Sequence, residues 1–125
     1  MKRTISILVI VAMMLASVLA IVPASAAETP EGTAINSAAD FAAMDAAGTY
    51  YLASDITLTE MYSKANFTGT LDGNGKTITL SGIPTAIKEM KGATVSNLNL
   101  VVDYTFASSA AGGALSHWAN GTFTN

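Results

Sequence analysis

The stretch from Gly69 to Leu80 reads GTLDGNGKTITL, and a little further on Gly92 to Leu100 reads GATVSNLNL. Each holds short runs in which apolar and polar residues alternate, the period-two pattern of a half-buried strand. Asp72-Gly73-Asn74-Gly75 is the strongest turn signal in the chain, because Gly and Asn tolerate the backbone angles that tight turns need. Working outward, Asp55-Ile56-Thr57-Leu58, Lys76-Thr77-Ile78-Thr79-Leu80 and Ser96-Asn97-Leu98-Asn99-Leu100 each end a turn and begin a strand. Leu58 and Leu80 lie 22 positions apart, and Leu80 and Leu100 lie 20 apart. A second echo sets Thr94-Val95-Ser96-Asn97 against Thr122-Phe123-Thr124-Asn125, 28 positions on.

Drifting periods of this length, with strand and turn alternating in each unit, are what a parallel β-solenoid produces. Each unit would be one turn of a coil stacked about 4.8 Å above the last, with apolar residues forming columns inside. Asn97 and Asn125 fall at equivalent turn positions, where side-chain amides can ladder between turns. An antiparallel sandwich also gives short strands at regular spacing and is the competing architecture.

The remaining strand candidates are Thr49 to Leu52, Phe67 to Leu71, Val95 to Val102 and Thr122 to Thr124. One helix is expected, over residues 38–47. Ser37 with Asp40 resembles a capping box, Phe41 and Met44 lie three apart on one face, and Gly48 stands where a helix-ending glycine belongs. Residues 27–36 are small and polar and read as a flexible leader.

The motif from Gly69 to Leu80, followed by Gly92 to Leu100, closely resembles the opening turns of bacterial pectin-lyase-like right-handed parallel β-helix proteins. Gly112 to Leu115 and Asn120 to Asn125 are similar to glycine-rich repeats of large secreted surface proteins on that fold. The resemblance covers roughly residues 49–125 and rests on structural positions. It implies an all-β right-handed solenoid, with the helix within residues 37–48 closing its N-terminal end. On that reading residues 49–125 make about three turns of an incomplete coil, and the chain is the N-terminal part of a longer protein. Its last turn, left without a lid, would self-associate.

At the N-terminus, Met1-Lys2-Arg3-Thr4 is a short basic segment, Ile5 to Val22 is apolar apart from Ser6 and Ser17, and Ala24-Ser25-Ala26 supplies small residues before Ala27. This is the pattern of a secretory signal peptide over 1–26, with cleavage expected after Ala26 and a bacterial cell-surface or extracellular destination. Residues 27–125 then retain four lysines against nine acidic residues, a formal charge of −5, and no arginine. Nucleic acid is therefore not an expected partner, since phosphate binding relies on clustered Lys and Arg, and membrane contact is expected only during export. The absence of cysteine excludes a disulfide framework and thiolate metal ligands.

Candidate sites are few. Gly73 to Thr77 lacks the first glycine of a phosphate loop, which would fall at Thr70, and no helix follows. Asp72 and Asn74 begin like a calcium loop, but Lys76 takes the next ligand position and Ile83 stands where Glu is required. His117 is the single histidine, placed with Ser116 and Trp118 in a loop, and Trp118 could stack on a sugar face. Asp55 and Asp72 could approach one another on successive turns, as the carboxylate pair of a glycosidase must. Neither belongs to an acidic cluster, so no catalytic, metal or cofactor residues are assigned within 27–125. The expected role is structural or adhesive, with flat Ser/Thr/Asn faces meeting glycans or surface proteins. The alternative is a polysaccharide lyase or glycoside hydrolase whose active site lies beyond residue 125.

Overall fold

The computed structural model describes residues 28–105 and 113–125. The signal peptide read over 1–26, with its cleavage point, and Gly112 of the glycine-rich echo lie outside the described residues. The described elements run β1 (Thr33–Ile35), α1 (Ala38–Ala43), β2 (Thr49–Leu52), β3 (Ile56–Leu58), β4 (Thr70–Asp72), β5 (Thr77–Ser81), β6 (Ile87–Ser96), β7 (Asn99–Asp103) and β8 (Ser116–Thr124). They form a five-stranded sheet in the order β1-β2-β4-β6-β8 and a three-stranded sheet in the order β3-β5-β7. Every pairing between these strands is parallel. From β2 onward the chain alternates between the two sheets, adding one strand to each in turn. Hairpins join antiparallel neighbours, so the sandwich alternative is excluded and the protein is all-β with parallel sheets.

Register follows the inward residues. In the five-stranded sheet Tyr50, Leu71, Val95 and Phe123 stand in one column. In the three-stranded sheet Ile56, Ile78 and Leu100 form a second column, and Leu58, Leu80 and Val102 a third. The expected match of Leu58 with Leu80 and of Thr94 to Ser96 with Thr122 to Thr124 is what the sheets contain. The match of Leu80 with Leu100 is not: Leu80 pairs with Val102, and Leu100 with Ile78. The cause is physical. Leu98, Leu100 and Val102 share one face, and a slip of two residues leaves every side chain on the same face of the sheet. The sequence pattern therefore cannot tell the two registers apart.

β6 is longer than the pattern suggested. Gly92 takes φ 73°, and the register slips between Lys91 and Ala93, dividing the strand into two limbs. The first limb bridges Tyr62 through Ile87 and Phe67 through Met90, and the second pairs with β4. β8 runs alongside both limbs, so Ser116, His117 and Trp118 lie in a strand rather than in the expected loop. The expected continuous strand from Val95 to Val102 is broken at Asn97, whose φ of 50° turns the chain toward β7. Thr33 to Ile35, inside the stretch read as leader, form the first strand of the larger sheet.

The core follows from this alternation. Leu52, Phe67, Leu71, Ile78, Leu80 and Ile87 are fully buried. Tyr62 stands edge-on between Phe41 of α1 and Phe67, with ring centroids 6.5 and 6.2 Å away. The Tyr62 hydroxyl is buried without a hydrogen-bond partner, and burial, with smaller contributions from Tyr50 and Asp45, raises its pKa. An unpaired buried hydroxyl costs about 1–3 kcal/mol. Tyr62→Phe is therefore expected to leave stability unchanged or raise it by about 1 kcal/mol, as read by urea denaturation. A loss of stability would reveal a partner for that hydroxyl.

α1 begins as expected but ends early. Ser37 Oγ accepts the Asp40 N–H at 3.2 Å, and Asp40 Oδ2 accepts the Asn36 N–H at 2.9 Å. The helix stops at Ala43, because Met44 turns to an extended conformation (φ −49°, ψ 142°) and buries its side chain. Gly48 thus does not cap the helix; its carbonyl accepts the Thr70 N–H of the larger sheet. The Asn36 N–H, and then the Ser37 hydroxyl, hold the exposed Asp40 carboxyl below its usual pKa. A carboxyl depressed in the folded state adds stability above its unfolded pKa and loses it as pH falls through the folded value. Asp40→Asn should accordingly lower Tm at neutral pH, and the gap from the parent should close on acidification below about pH 4. Ser37→Ala should cost about 1 kcal/mol.

Candidate functional site

The outward positions of the five-stranded sheet are as regular as the inward ones. Thr49, Thr70, Thr94 and Thr122 form one outer column, and Tyr51, Asp72, Ser96 and Thr124 form the next. Beside the threonines runs a column of Gly48, Gly69, Ala93 and Gly121, where the chain enters the sheet. A Cβ on Gly69 would collide with the Gly48 carbonyl oxygen, and one on Gly121 with that of Ala93. The backbones at this corner therefore approach too closely for larger side chains. The signal was present in the sequence as Gly/Ala-Thr-apolar triplets at 48–50, 69–71, 93–95 and 121–123.

Neighbouring parallel strands lie about 4.8 Å apart, so the threonines present a row of hydroxyls and methyls at that spacing. Residues 28–31 stand over one side of this face. With Thr49, Thr70, Asp72, Asn74 and Ser96 they enclose an open trough of about 730 Å³. Glu28, Glu31 and Asp72 are its charged lining residues, and no lysine lines it. The role of Glu28 and Glu31 was not legible in the sequence, where they sit in a stretch read as leader.

The two aspartates considered as a catalytic pair make structural hydrogen bonds, Asp55 to the start of β5 and Asp72 within its own turn and to Asn97. Asp55 Oδ1 accepts the Thr77 N–H at 2.8 Å. Asp72 Oδ1 accepts the Asn74 N–H at 2.8 Å and the Asn97 side-chain amide at 3.1 Å. The amide ladder expected between Asn97 and Asn125 thus runs downward, from Asn97 to Asp72. Asn74 continues it, donating its side-chain amide to the Leu52 carbonyl at 3.1 Å. The glycine-rich turn makes stacking contacts, with Gly73 N–H on Ser96 O and Gly75 N–H on Asn97 O. These bonds tie the turn to the neighbouring strand connection. His117 is exposed on β8, and Trp118 is 72% exposed opposite Glu89. Among the described residues no group of three or more His, Asp or Glu is placed to hold a metal ion.

No protein family, curated protein or solved structure matches the chain.

The outer face of the sheet offers hydroxyls, carboxylates and, beside the trough, one half-buried aromatic ring, Tyr51. Such a surface can exchange hydrogen bonds with a polyhydroxylated chain laid along it. Its charge opposes a polyanion.

Proposed function

We propose that the protein is an exported bacterial cell-surface or extracellular adhesive protein, built as a right-handed parallel β-helix. The larger sheet, the smaller sheet and the strip carrying Tyr62 to Phe67 would be the faces of its coil, and α1 its N-terminal lid. The resemblance of Gly69 to Leu100 to pectin-lyase-like proteins supports this winding, as does the strict alternation of parallel strands between sheets. The basic, apolar and A-x-A segments of residues 1–26 support export, with the mature protein starting at Ala27.

The observation that carries the binding role is the trough over the threonine column, with Glu28, Glu31 and Asp72 as its charged lining. Its ligand is a neutral or amino-bearing glycan of a cell wall or surface, because like charge across an interface costs affinity and uronate polymers are polyanionic. Binding needs no chemistry, and both candidate aspartates accept backbone hydrogen bonds, Asp72 from Asn74 in its own turn and Asp55 from Thr77 at the start of β5.

The test is co-sedimentation with insoluble neutral, amino-sugar and uronate polysaccharides, comparing the parent with Thr70→Val/Thr94→Val. Threonine and valine have similar shapes, so the replacement removes hydroxyls from the outer face. Binding to the first two classes, weakened about tenfold in the variant, is expected, which corresponds to about 1.4 kcal/mol. Equal binding by both proteins would remove the face from the mechanism. Release of soluble oligosaccharides would point instead to a lyase or glycoside hydrolase.

A further inference from the structure

The turn between β4 and β5 contains a chemically reactive pair. In Asn74-Gly75 a carboxamide side chain precedes a glycine, whose backbone nitrogen is the least hindered of any residue's because no Cβ stands beside it. Once it loses its proton, that nitrogen can attack the Cγ of the asparagine. A C–N bond forms, ammonia departs, and water opens the resulting five-membered imide to an aspartate or, at its other carbonyl, to an isoaspartate. The fold ties the two reacting groups in opposite directions. The Gly75 N–H donates to the Asn97 carbonyl at 2.9 Å, where the chain leaves β6. The Asn74 side-chain amide donates to the Leu52 carbonyl at 3.1 Å, at the end of β2. β2 and β6 flank β4 on opposite sides, so the nucleophile is held toward one neighbouring layer and the electrophile toward the other. The Asn74 N–H is held as well, by Asp72 Oδ1 at 2.8 Å.

We propose that Asn74 is a site of spontaneous deamidation gated by this double tether: the closed turn keeps its amide, and a turn that opens is converted and cannot close as before. Attack requires the Gly75 nitrogen and the Asn74 side chain to leave Asn97 and Leu52 and face one another. The rate therefore follows the population of a local opening that frees both hydrogen bonds. The product then undoes the tether. A carboxylate at position 74 has no proton to donate and sets an acceptor against the Leu52 carbonyl oxygen. It also adds a negative charge two residues from Asp72. An isoaspartate further lengthens the backbone by one methylene in a turn where even a Cβ on Gly73 would meet the backbone of Asn97 and Leu98. Ammonia is lost to solvent, so the change is one-way. All three strands involved, β2, β4 and β6, are interior to the larger sheet, and the proposal is independent of what the threonine face binds.

The test follows conversion of position 74 with time in the full chain at mildly alkaline pH, folded and unfolded in guanidinium. Trypsin cuts after Lys64 and Lys76 and releases the peptide that carries the pair, and fragment masses separate Asn74 from Asn66. Conversion is expected to be at least about tenfold slower in the folded chain, since two hydrogen bonds must open first. Hydrogen exchange at the Gly75 amide should be slowed by a similar factor, because both reactions pass through the same opening. Asn74→Asp should lower Tm and speed exchange of the Gly75 amide. Equal conversion in folded and unfolded chains, or slow conversion beside a freely exchanging Gly75 amide, would remove the tether from the mechanism. A pair that stays amidated in guanidinium, or an Asn74→Asp chain as stable as the parent, would overturn the proposal outright.

Discussion

Phe67→Ala is expected to cost about 3–5 kcal/mol, the range for deleting a fully buried aromatic side chain. The Phe67 ring has no exposed surface and packs edge-on against Tyr62. Its backbone joins adjacent layers, donating to the Glu89 carbonyl and accepting from the Lys91 N–H, each at 2.9 Å. The backbone bonds survive the substitution, so the loss reports on the ring alone. A small domain holds about 5–15 kcal/mol in total, so the variant should unfold at a much lower urea concentration. A shift worth less than 1 kcal/mol would mean that the ring does not fill the centre. Because Phe67 and Tyr62 touch, the double variant with Tyr62→Ala should lose less than the sum of the single losses.

Gly73→Ala should be nearly as damaging, for another reason. The added methyl would meet the carbonyl oxygen of Asn97 and the Cα of Leu98, both backbone atoms of the layer above. No rotamer change relieves such a contact, which places the cost at the upper end of overpacking, about 3 kcal/mol. Gly75 makes the useful contrast. It sits in the same turn at φ +68° with open space around it, so Gly75→Ala carries only the left-handed backbone penalty of about 1–2 kcal/mol. If the turn mattered only for its own conformation, the order would reverse, since the positive φ belongs to Gly75. Equilibrium denaturation of the two variants decides between stacking and turn geometry.

The legibility of this fold varied with the range of the interaction. Ser37 and Asp40 announced the helix start correctly because capping is settled within four residues. The helix end was misplaced because it depends on burying Met44, a tertiary demand that overrode the alanine-rich run to Ala47. Asp72 to Gly75 was legible as a turn, and Asn74 and Gly75 both take the positive φ expected of one. The first limb of β6 and the strand through His117 and Trp118 were missed. Their residues show little alternation, and pairing with neighbouring layers supplies what local preference does not. Of the candidate site, Thr49, Thr70 and Thr122 were visible as strand residues, but Thr94 and the alignment of all four into one column were not.

From residues alone came the local alternation of short strands and turns, the capped helix, the acidic cysteine-free composition and an approximate repeat. Those depend on periodicity and on side chains near one another in the chain. Tertiary structure decided which residues stack, that Leu80 meets Val102, and that Glu28 and Glu31 overhang the threonine column. The reason is that an alternating pattern specifies which face a residue occupies but not its neighbour 20 to 30 positions away. That neighbour is chosen by the lengths of the intervening corners and by the packing of the core.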